Sequence, residues 1–332
     1  MKAIVQDRYG SSDVLRFEDV DTPTPGDNEV LVRVHAASVN AYDWHVMRGD
    51  PRIARLMAPR MFGLSGPKAK IRGRDFAGRV EAVGRRVARF QPGDEVFGDL
   101  GSGDGAFAEY VCVADDTVEP KPANLTFEQA AAIPVAGTTA LMGVRDLGRA
   151  RPGQQFLING ASGGVGTFAV QIAKSFGAEV TAVCSTRNAD LLLSIGADHV
   201  VDYTKEDFTG NGKRYDVVFD LVANRSLADL RRALTPEGTL VLSGGGVSDG
   251  GSLFGPVGLS VKGLLMSRFV RHRILALSVE INRDNLATLR ELAESEMVTP
   301  VVDRTYSLSE TPEAIRYLEL DHARAKVVIT VD

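Results

Sequence analysis

The feature that most constrains the fold is a glycine-rich segment in the middle of the chain. The apolar run Gln155–Asn159 leads into Gly-Ala-Ser-Gly-Gly-Val-Gly at positions 160–166, where a helical pattern begins that continues to Phe176. A second apolar run follows at Glu179–Cys184. A strand, a glycine-rich turn, a helix and another strand form the unit in which a helix N-terminus binds a pyrophosphate. The sequence therefore predicts a dinucleotide-binding α/β domain.

Every residue of this turn is predicted to contact the pyrophosphate: Gly160, Ala161, Ser162, Gly163, Gly164, Val165 and Gly166. Gly163 and Gly164 have no Cβ, so the backbone can approach the phosphates, and Gly166 lets the helix pack closely. Ala161 stands where the usual motif has its first glycine, and Gly160 can take over part of the tight turn. The alternative is a purely structural glycine turn.

The end of the second strand predicts which dinucleotide is bound. NAD-specific folds carry an acid about 20 residues after the turn, whereas this chain has Ser185, Thr186 and Arg187 there. Hydroxyl and guanidinium groups suit a 2′-phosphate, which a carboxylate would repel. We therefore expect NADPH as the cofactor. The alternative is that Arg187 is only a solvated residue at a helix start.

The rest of the chain changes character along its length. Before Pro120, short valine-rich runs are separated by glycine and proline, which predicts a small barrel-like β domain. From Thr126 to Ser243 helix-like and strand-like segments alternate, as is typical of a parallel sheet covered by helices. The remainder is mixed and ends in the strand-like run Lys326–Val331. A chain of 332 residues is long enough for two domains.

Composition argues against several other classes of protein. The net charge of −5 gives no general attraction to nucleic acid. The N-terminus has no apolar signal core, and no uncharged apolar run reaches about 18 residues, so we expect a cytoplasmic protein without a membrane span. Cys112 and Cys184 are too few for a disulfide framework, and we expect reduced thiols.

The sequence resembles the medium-chain dehydrogenase/reductase superfamily, in its zinc-independent quinone oxidoreductase branch. Matching motifs extend over nearly the whole chain, at Val39–Asp43, Gly73–Gly78, Pro92–Phe97, Gly105–Tyr110, Ala136–Ala140, Asn159–Gly166 and Ala323–Val328. The resemblance implies an α/β fold in which residues 1–124 and 266–332 form a GroES-like β-rich domain and residues 125–265 form a Rossmann NADP-binding domain. It also implies a homodimer.

The resemblance implies further cofactor contacts. Thr138 should touch the cofactor near its nicotinamide, and Ser243, Gly244 and Gly245 should lie beside the nicotinamide ribose. Tyr203 matches a tyrosine that lines the phosphate pocket of the adenine ribose, with a surface aromatic as the alternative. Lys326 lies in the terminal motif, near the cofactor.

The resemblance also bears on metal binding. Alcohol dehydrogenases of this superfamily hold zinc at positions that correspond here to Asn40–Ala41, Gly73–Asp75 and Val135–Ala136, which offer no thiolate or imidazole. We therefore expect no metal. Without a Lewis acid to stabilise an alkoxide, the expected reaction is hydride transfer to an activated acceptor, a quinone or an α,β-unsaturated carbonyl compound (an enone or alkenal).

Three neighbouring residues are candidates for catalysis. Asn40 matches an asparagine that faces the nicotinamide region in this branch, and its amide could donate to a carbonyl oxygen. Tyr42 could supply a proton, and Asp43 could orient either residue. The alternative for all three is a role in a turn or helix cap, with proton delivery by water.

Two segments bear on the substrate. The basic stretch Arg48–Arg74 could attract an acyl-CoA, which would make the protein an enoyl-thioester reductase; it could also meet a membrane surface or be a solvated loop. The apolar segment Gly246–Val279 could line a pocket or form a subunit contact near Leu275–Val279. A non-catalytic NADPH-binding protein remains a further alternative.

Overall fold

A computed structural model describes residues 1–50, 55, 62–63, 66–101, 103–244, 257–320 and 323–331. The chain divides into two compact units. The first unit contains Met1–Thr138, Glu280–Glu296 and Pro300–Asp332, and the second contains Thr139–Val279 and Met297–Thr299. The domain limits expected from the sequence, at 124/125 and 265/266, differ from these boundaries and stay a prediction.

The elements are named in chain order. The strands are β1 (Lys2–Val5), β2 (Arg16–Asp19), β3 (Glu29–Val39), β4 (Asp75–Val83), β5 (Glu95–Asp99), β6 (Tyr110–Ala114), β7 (Val118–Pro120), β8 (Gln155–Asn159), β9 (Glu179–Cys184), β10 (His199–Asp202), β11 (Tyr215–Asp220), β12 (Leu234–Leu242), β13 (Arg273–Ala276), β14 (Val302–Ser307) and β15 (Lys326–Thr330). The α-helices are α1 (Ala41–Arg48), α2 (Phe127–Ala131), α3 (Pro134–Leu141), α4 (Gly164–Ser175), α5 (Ala189–Ser194), α6 (Leu227–Arg232), α7 (Val257–Met266), α8 (Arg283–Glu294) and α9 (Thr311–Leu320).

The first unit is built around a mainly antiparallel sheet. Among the described residues its strands lie in the order β14-β15-β3-β4-β5-β7, and β6 pairs with β3. The terminal strand β15 pairs antiparallel with β3, which sets Val327 opposite Val39. Valine and other apolar side chains from these strands form one buried core that includes Val32, Phe76 and Ile329. This core fixes the ends of β3, β4 and β15, where polar residues begin.

The second unit contains a parallel sheet. Within the described ranges its strands follow the order β10-β9-β8-β11-β12-β13, and each strand pairs with its neighbours in parallel. In β8 and β9 the first residue is half-buried and all the others are buried, as expected of a sheet with helices on its faces. The parallel α/β sheet expected from the alternating pattern is confirmed. The carboxyl ends of these parallel strands lie on the same side of the sheet, and the glycine-rich turn follows β8 on that side.

Two segments differ from the sequence prediction. The helix α1 is missing from the predicted elements, although a capping box between Asn40 and Asp43 starts it. The helical region expected from Thr126 to Arg145 is interrupted: α2 ends at Ala131, Pro134 begins α3, and a π-helix follows at Met142–Leu147. Proline suits the first position of a helix because its missing N–H has no partner to lose there.

Candidate functional site

The glycine-rich turn of the second unit has glycine where the backbone requires it. Gly160 has a φ of +85°, which favours glycine, and an added Cβ would lie 2.6 Å from a methyl group of Val222. A Cβ on Gly166 would lie 2.3 Å from the carbonyl oxygen of Gly160. The start of α4 therefore rests directly on the turn.

Ala161 occupies the one non-glycine position that the usual motif reserves for glycine. It is completely buried, and its N–H donates to the carbonyl of Val183 at 3.1 Å. This bond ties the turn to β9. The tight bend has moved one residue back to Gly160, in agreement with the expectation from the sequence.

The first turn of α4 offers free backbone donors. No side-chain hydrogen bond caps the helix at Gly163. Thr167 is the first residue whose N–H closes a helical bond, to the carbonyl of Gly163 at 3.0 Å. The N–H groups of Gly164, Val165 and Gly166 consequently lack intrahelical partners, and the positive end of the helix dipole adds to them. This arrangement suits a pyrophosphate.

A buried asparagine connects this turn with the end of β9. The amide of Asn188 donates to the hydroxyl of Ser162 at 3.0 Å and, more weakly, to that of Ser185 at 3.4 Å. Its Oδ1 atom is buried and has no hydrogen-bond partner among the described residues. Sequence reasoning missed Asn188, because a single asparagine at a helix start usually indicates only a cap.

The residues expected to bind a 2′-phosphate lie together at the ends of β9 and β10. Ser185 is half-buried, and Thr186, Arg187 and Tyr203 are exposed. The N–H of Tyr203 donates to the carbonyl of Cys184 at 3.0 Å, which holds the two strand ends side by side.

An acid that the sequence reasoning missed also lies here. Asp202 ends β10 and accepts a hydrogen bond from the hydroxyl of Thr186. Hydrogen bonds from Thr186 and Thr204 lower the pKa of Asp202, and Lys205 lies 3.1 Å away. The absence of an acid at the end of β9 therefore does not mean that the region lacks one, since the neighbouring strand supplies it.

The ends of β8, β11 and β12 are connected through one buried residue, Asp220. Asp220 accepts from the amide of Asn159 at 2.8 Å, and its backbone carbonyl accepts from Ser243 at 3.0 Å. Burial raises the pKa of Asp220. Gly244 follows with a φ of +71°, and Gly245 lies outside the described residues.

The first unit contains a buried polar cluster. The ammonium of Lys326 donates to Oδ1 of Asn40 at 2.6 Å and to the carbonyl of Val39 at 3.2 Å. The amide of Asn40 donates to Oδ2 of Asp75 at 2.9 Å and to the carbonyl of Ser38 at 3.4 Å. Lys326 and Asp75 are 3.7 Å apart. We call Asn40, Asp75 and Lys326 the polar triad.

Burial dominates the electrostatics of this triad. It raises the pKa of Asp75 and lowers that of Lys326, while each residue's charge opposes the other's shift. Two of the predicted cofactor residues, Thr138 and Lys326, belong to this first unit. The hydroxyl oxygen of Thr138 is buried and finds no hydrogen-bond partner in the described part of the chain.

Asp43 and Tyr42 have different surroundings. Asp43 accepts from the N–H of Asn40 at 2.7 Å, so it caps α1 and fixes the backbone of Asn40. Burial raises the pKa of Asp43 to about 8. Tyr42 is half-buried, its pKa is raised mainly by burial, and the guanidinium of Arg74 lies 4.8 Å from its ring centroid.

The positions that correspond to zinc ligands do come together. Asp75 bonds Asn40 through one oxygen and accepts from the N–H of Val135 at 3.1 Å through the other. The groups that meet are an amide, a carboxylate and a backbone N–H, with the ammonium of Lys326 beside them. Across the residues with described positions, no group of three His, Cys, Asp or Glu side chains could hold a metal ion.

The basic stretch Arg48–Arg74 is largely neutralised where it is described. Arg48 pairs with Glu319 at 2.6 Å, Arg72 with Asp104 at 3.1 Å and Arg74 with Asp99 at 2.6 Å. Arg52 and Arg60 lie outside the described residues. Separately, no helix within the described ranges is long and apolar enough to cross a membrane.

Two family models match the chain. A model described as alcohol dehydrogenase GroES-like domain matches residues 26–123, and one described as zinc-binding dehydrogenase matches residues 195–329. With the parallel sheet described above, these matches confirm the expected GroES-like and Rossmann-type α/β architecture.

Relatives of known name align over most of their length. Quinone-oxidoreductase QR1, chloroplastic, from Triphysaria versicolor is 32% identical over 99% of this chain and 98% of its own length. NAD(P)H oxidoreductase RTN4IP1, mitochondrial, from Mus musculus is 36% identical over 100% of this chain and 89% of its own length. The 2-methylene-furan-3-one reductase from Solanum lycopersicum is 35% identical over 99% of this chain and 79% of its own length.

Solved structures have the same fold over the full chain. The quinone oxidoreductase from Coxiella burnetii superposes with a TM-score of 0.85 at 31% identity, covering 100% of this chain and 99% of that one. The Escherichia coli quinone oxidoreductase, solved in complex with NADPH, gives a TM-score of 0.83 at 25% identity, with 99% and 100% covered.

Proposed function

Because the chain belongs to the medium-chain dehydrogenase/reductase superfamily, in its quinone oxidoreductase-like branch, we propose that it is an NADPH-dependent reductase of quinones or α,β-unsaturated carbonyl compounds that needs no zinc. The observation that carries this proposal is the start of α4, where three backbone N–H groups have no intrahelical partners and follow a turn with glycine at its two tightest points. The names of the Triphysaria, mouse and tomato relatives support the same class of reaction.

The second unit has groups that fit each phosphate of NADPH. The N–H groups of Gly164, Val165 and Gly166 would hold the pyrophosphate. Ser185 and Arg187 would hold the 2′-phosphate, with Tyr203 at its side. Thr186 is engaged by Asp202, so its hydroxyl has a smaller part than the sequence suggests. The E. coli complex supports NADPH as the nicotinamide cofactor. When bound, NADPH supplies the hydride.

In the first unit, the polar triad would serve the acceptor's carbonyl oxygen. One hydrogen of the Asn40 amide is committed to Asp75 at 2.9 Å, while the other reaches the carbonyl of Ser38 only at 3.4 Å. This weakly bonded hydrogen is the one that Asn40 can offer to a carbonyl oxygen. Lys326 and Asp75 hold the amide in that orientation, and we assign Lys326 a positioning role.

Zinc-free chemistry agrees with the donor set of the triad. A Zn²⁺ site uses thiolate, imidazole or carboxylate ligands, whereas the amide and ammonium groups here leave Asp75 as the one zinc-type ligand. An acceptor whose charge spreads by conjugation needs a hydrogen bond at its oxygen more than a Lewis acid. Quinones and enones have this property.

The proton that completes the reduction comes from Tyr42 or from water. The raised pKa of Tyr42 keeps its phenol protonated at neutral pH, so it can only donate. Among the described residues Asp43 makes no hydrogen bond to Tyr42, and it accepts from the N–H of Asn40 instead.

The acyl-CoA alternative has less support, because Arg48, Arg72 and Arg74 are paired with acids within the chain, while Arg55 donates to backbone carbonyls. A panel of quinones, enones and crotonyl-CoA, assayed for NADPH consumption, tests the proposal. We expect turnover with quinones or enones and little with crotonyl-CoA. NADPH binding without oxidation by any acceptor would leave a non-catalytic binding protein.

Cofactor choice has its own test. Arg187→Ala should weaken NADPH binding by about tenfold or more and change NADH binding little, since the lost charge-assisted bonds serve only the 2′-phosphate. Arg232→Ala is the matched control, because this exposed arginine on α6 pairs with Asp229. Equal losses for NADPH and NADH in Arg187→Ala would refute the assignment.

We also propose that the protein is a homodimer. The strand β13 ends the described sheet of the second unit, so its outer edge can pair with a second copy. Sedimentation velocity checks this, with a single species of twice the chain mass as the expected result.

A further inference from the structure

The helix α7 of the second unit is mainly apolar, apart from Ser260 and Lys262, and it packs on the sheet through one side. Gly263 faces the sheet, where an added Cβ would lie 2.9 Å from Leu242 and 3.0 Å from Ile274. Val261, Leu264 and Leu265 lie on the other side and are exposed. An apolar face on a helix is normally covered by other apolar side chains. Folding of the second unit therefore leaves part of this helix without an apolar neighbour.

Phe269, just after the helix, extends the exposed surface. Its side chain is 87% exposed, the most of any large apolar residue among those with described burial, and Leu265 is 61% exposed. We call Val261, Leu264, Leu265 and Phe269 the apolar patch. A groove of about 590 Å³ adjoins it and is lined by Leu227, Leu259 and Met266 as well as by patch residues. Contiguous apolar surface of this kind marks an interaction site.

The segment that contains the patch has charges of one sign only. Lys262, Arg268 and Arg271 are exposed beside it, and residues 257–279 contain no Asp or Glu. Lys262 lines the same groove as Leu265. Apolar side chains flanked by long cationic ones suit an interface in which hydrocarbon lies next to negative charge.

We propose that the apolar patch docks on an anionic lipid surface. Its four apolar side chains would enter the boundary between headgroups and acyl chains, and the three cations would meet the lipid phosphates. This binding is peripheral and reversible, and it is independent of the reductase activity.

Charge argues against a second copy as the occupant. A two-fold contact through this patch would place the same three cations of each copy against each other. The basic stretch Arg48–Arg74 is also a weaker candidate for lipid, because three of its four described arginines, Arg48, Arg72 and Arg74, have acidic partners.

Co-sedimentation of the full chain with vesicles tests the proposal. We expect binding to phosphatidylcholine vesicles that contain about 30% phosphatidylglycerol, which gives a negative surface. We expect little binding to vesicles of phosphatidylcholine alone. Arg268→Gln with Arg271→Gln should lower the partition coefficient about 30-fold, since each basic residue near such a surface contributes roughly fivefold. The control pair Arg85→Gln and Arg86→Gln removes the same charge from exposed positions of the first unit and should leave binding unchanged.

The apolar contribution has a matched pair of variants. Leu265→Ser should weaken vesicle binding about tenfold, whereas Leu320→Ser, at a leucine that is 63% exposed on α9, should not. Circular dichroism and NADPH affinity should stay at wild-type values in both. Equal binding to neutral and anionic vesicles, equal effects of the two serine variants, or loss of a lipid-free dimer in Leu265→Ser would each overturn the proposal.

Discussion

The phosphate turn of the second unit and the polar triad of the first unit use their polar groups in opposite ways. The turn places the N–H groups of Gly164–Gly166 at a helix start, where they have no intrahelical partners. The triad bonds nearly every polar atom internally, with Lys326 donating to Asn40 and Asn40 donating to Asp75. Backbone N–H groups without intrahelical partners can bind a ligand, whereas the hydrogen-bonded side chains of the triad fix one another's positions. Changes in the turn should therefore appear mainly in binding, and changes in the triad mainly in stability.

The largest effect is expected at the triad. Lys326→Met removes the cation from a buried cluster and leaves Asp75 and Asn40 without their partner, which should lower the free energy of unfolding by about 3 kcal/mol. Urea denaturation measures this. The control Lys174→Met breaks a half-exposed pair with Asp198, where roughly 1 kcal/mol or less is expected. Similar losses in the two variants would show that the triad is no more than a surface-type ion pair.

The turn offers a pair of glycines that separate fold from ligand. Gly166→Ala forces a Cβ to within 2.3 Å of a backbone oxygen, so it should destabilise the apo protein by about 2 kcal/mol and abolish NADPH binding. Gly163→Ala places its Cβ 3.5 Å from the nearest atom, an ordinary contact, so the apo protein should keep its Tm while NADPH affinity falls about tenfold.

Thermal unfolding and NADPH titration of both glycine variants check this prediction, with Gly210→Ala as an uncrowded control in the same unit. If Gly163→Ala bound NADPH as well as the wild type, the backbone at Gly163 would not approach the phosphates. The turn would then not differ from the triad in having backbone groups available for a ligand.

The two regions also differ in how far sequence reasoning reaches. The turn consists of seven consecutive residues whose strand, glycines and helix are visible in a row, so its place and shape followed from local physics. The triad joins residues that are 286 positions apart in the case of Asn40 and Lys326. The family resemblance put Asn40 and Lys326 near the cofactor, but the bond between them depends on the pairing of β15 with β3.

Residues missed by sequence reasoning have a common cause. Asp202 meets Thr186 because β10 lies next to β9, and Asn188 meets Ser162 because the end of β9 lies next to the turn. Sheet order brings these side chains together, and no local pattern encodes it. For Asn40 and Asp43 the sequence allows both a catalytic role and a role in a helix cap. The structure contains the capping box that starts α1.

A further effect concerns the pH dependence of stability. The pKa of Asp43 is about 3.8 in the unfolded chain and about 8 in the folded one, so the folded state holds the proton more tightly between these values. The free energy of unfolding should therefore fall as the pH rises from about 4 to 8.

Asp43→Asn keeps an oxygen for the N–H of Asn40 and removes this titration. The wild type should lose roughly 1 kcal/mol per pH unit more than the variant as the pH rises from 5 towards 8, by urea denaturation. Asp75, Asp104 and Lys326, which surround Asp43, are present in both proteins, so the difference isolates one group. A parallel pH dependence in the two proteins would contradict the buried-acid assignment.

The central claim is that this protein passes hydride from NADPH to an activated acceptor. A single-turnover reaction with NADPH deuterated at C4 of the nicotinamide and an enone, analysed by mass spectrometry, tests it most directly. The account predicts one deuterium on carbon in the reduced product, with Arg187→Ala slowing the reaction at limiting NADPH. Tight NADPH binding with no deuterium in any product, across enones that differ in size, would contradict it.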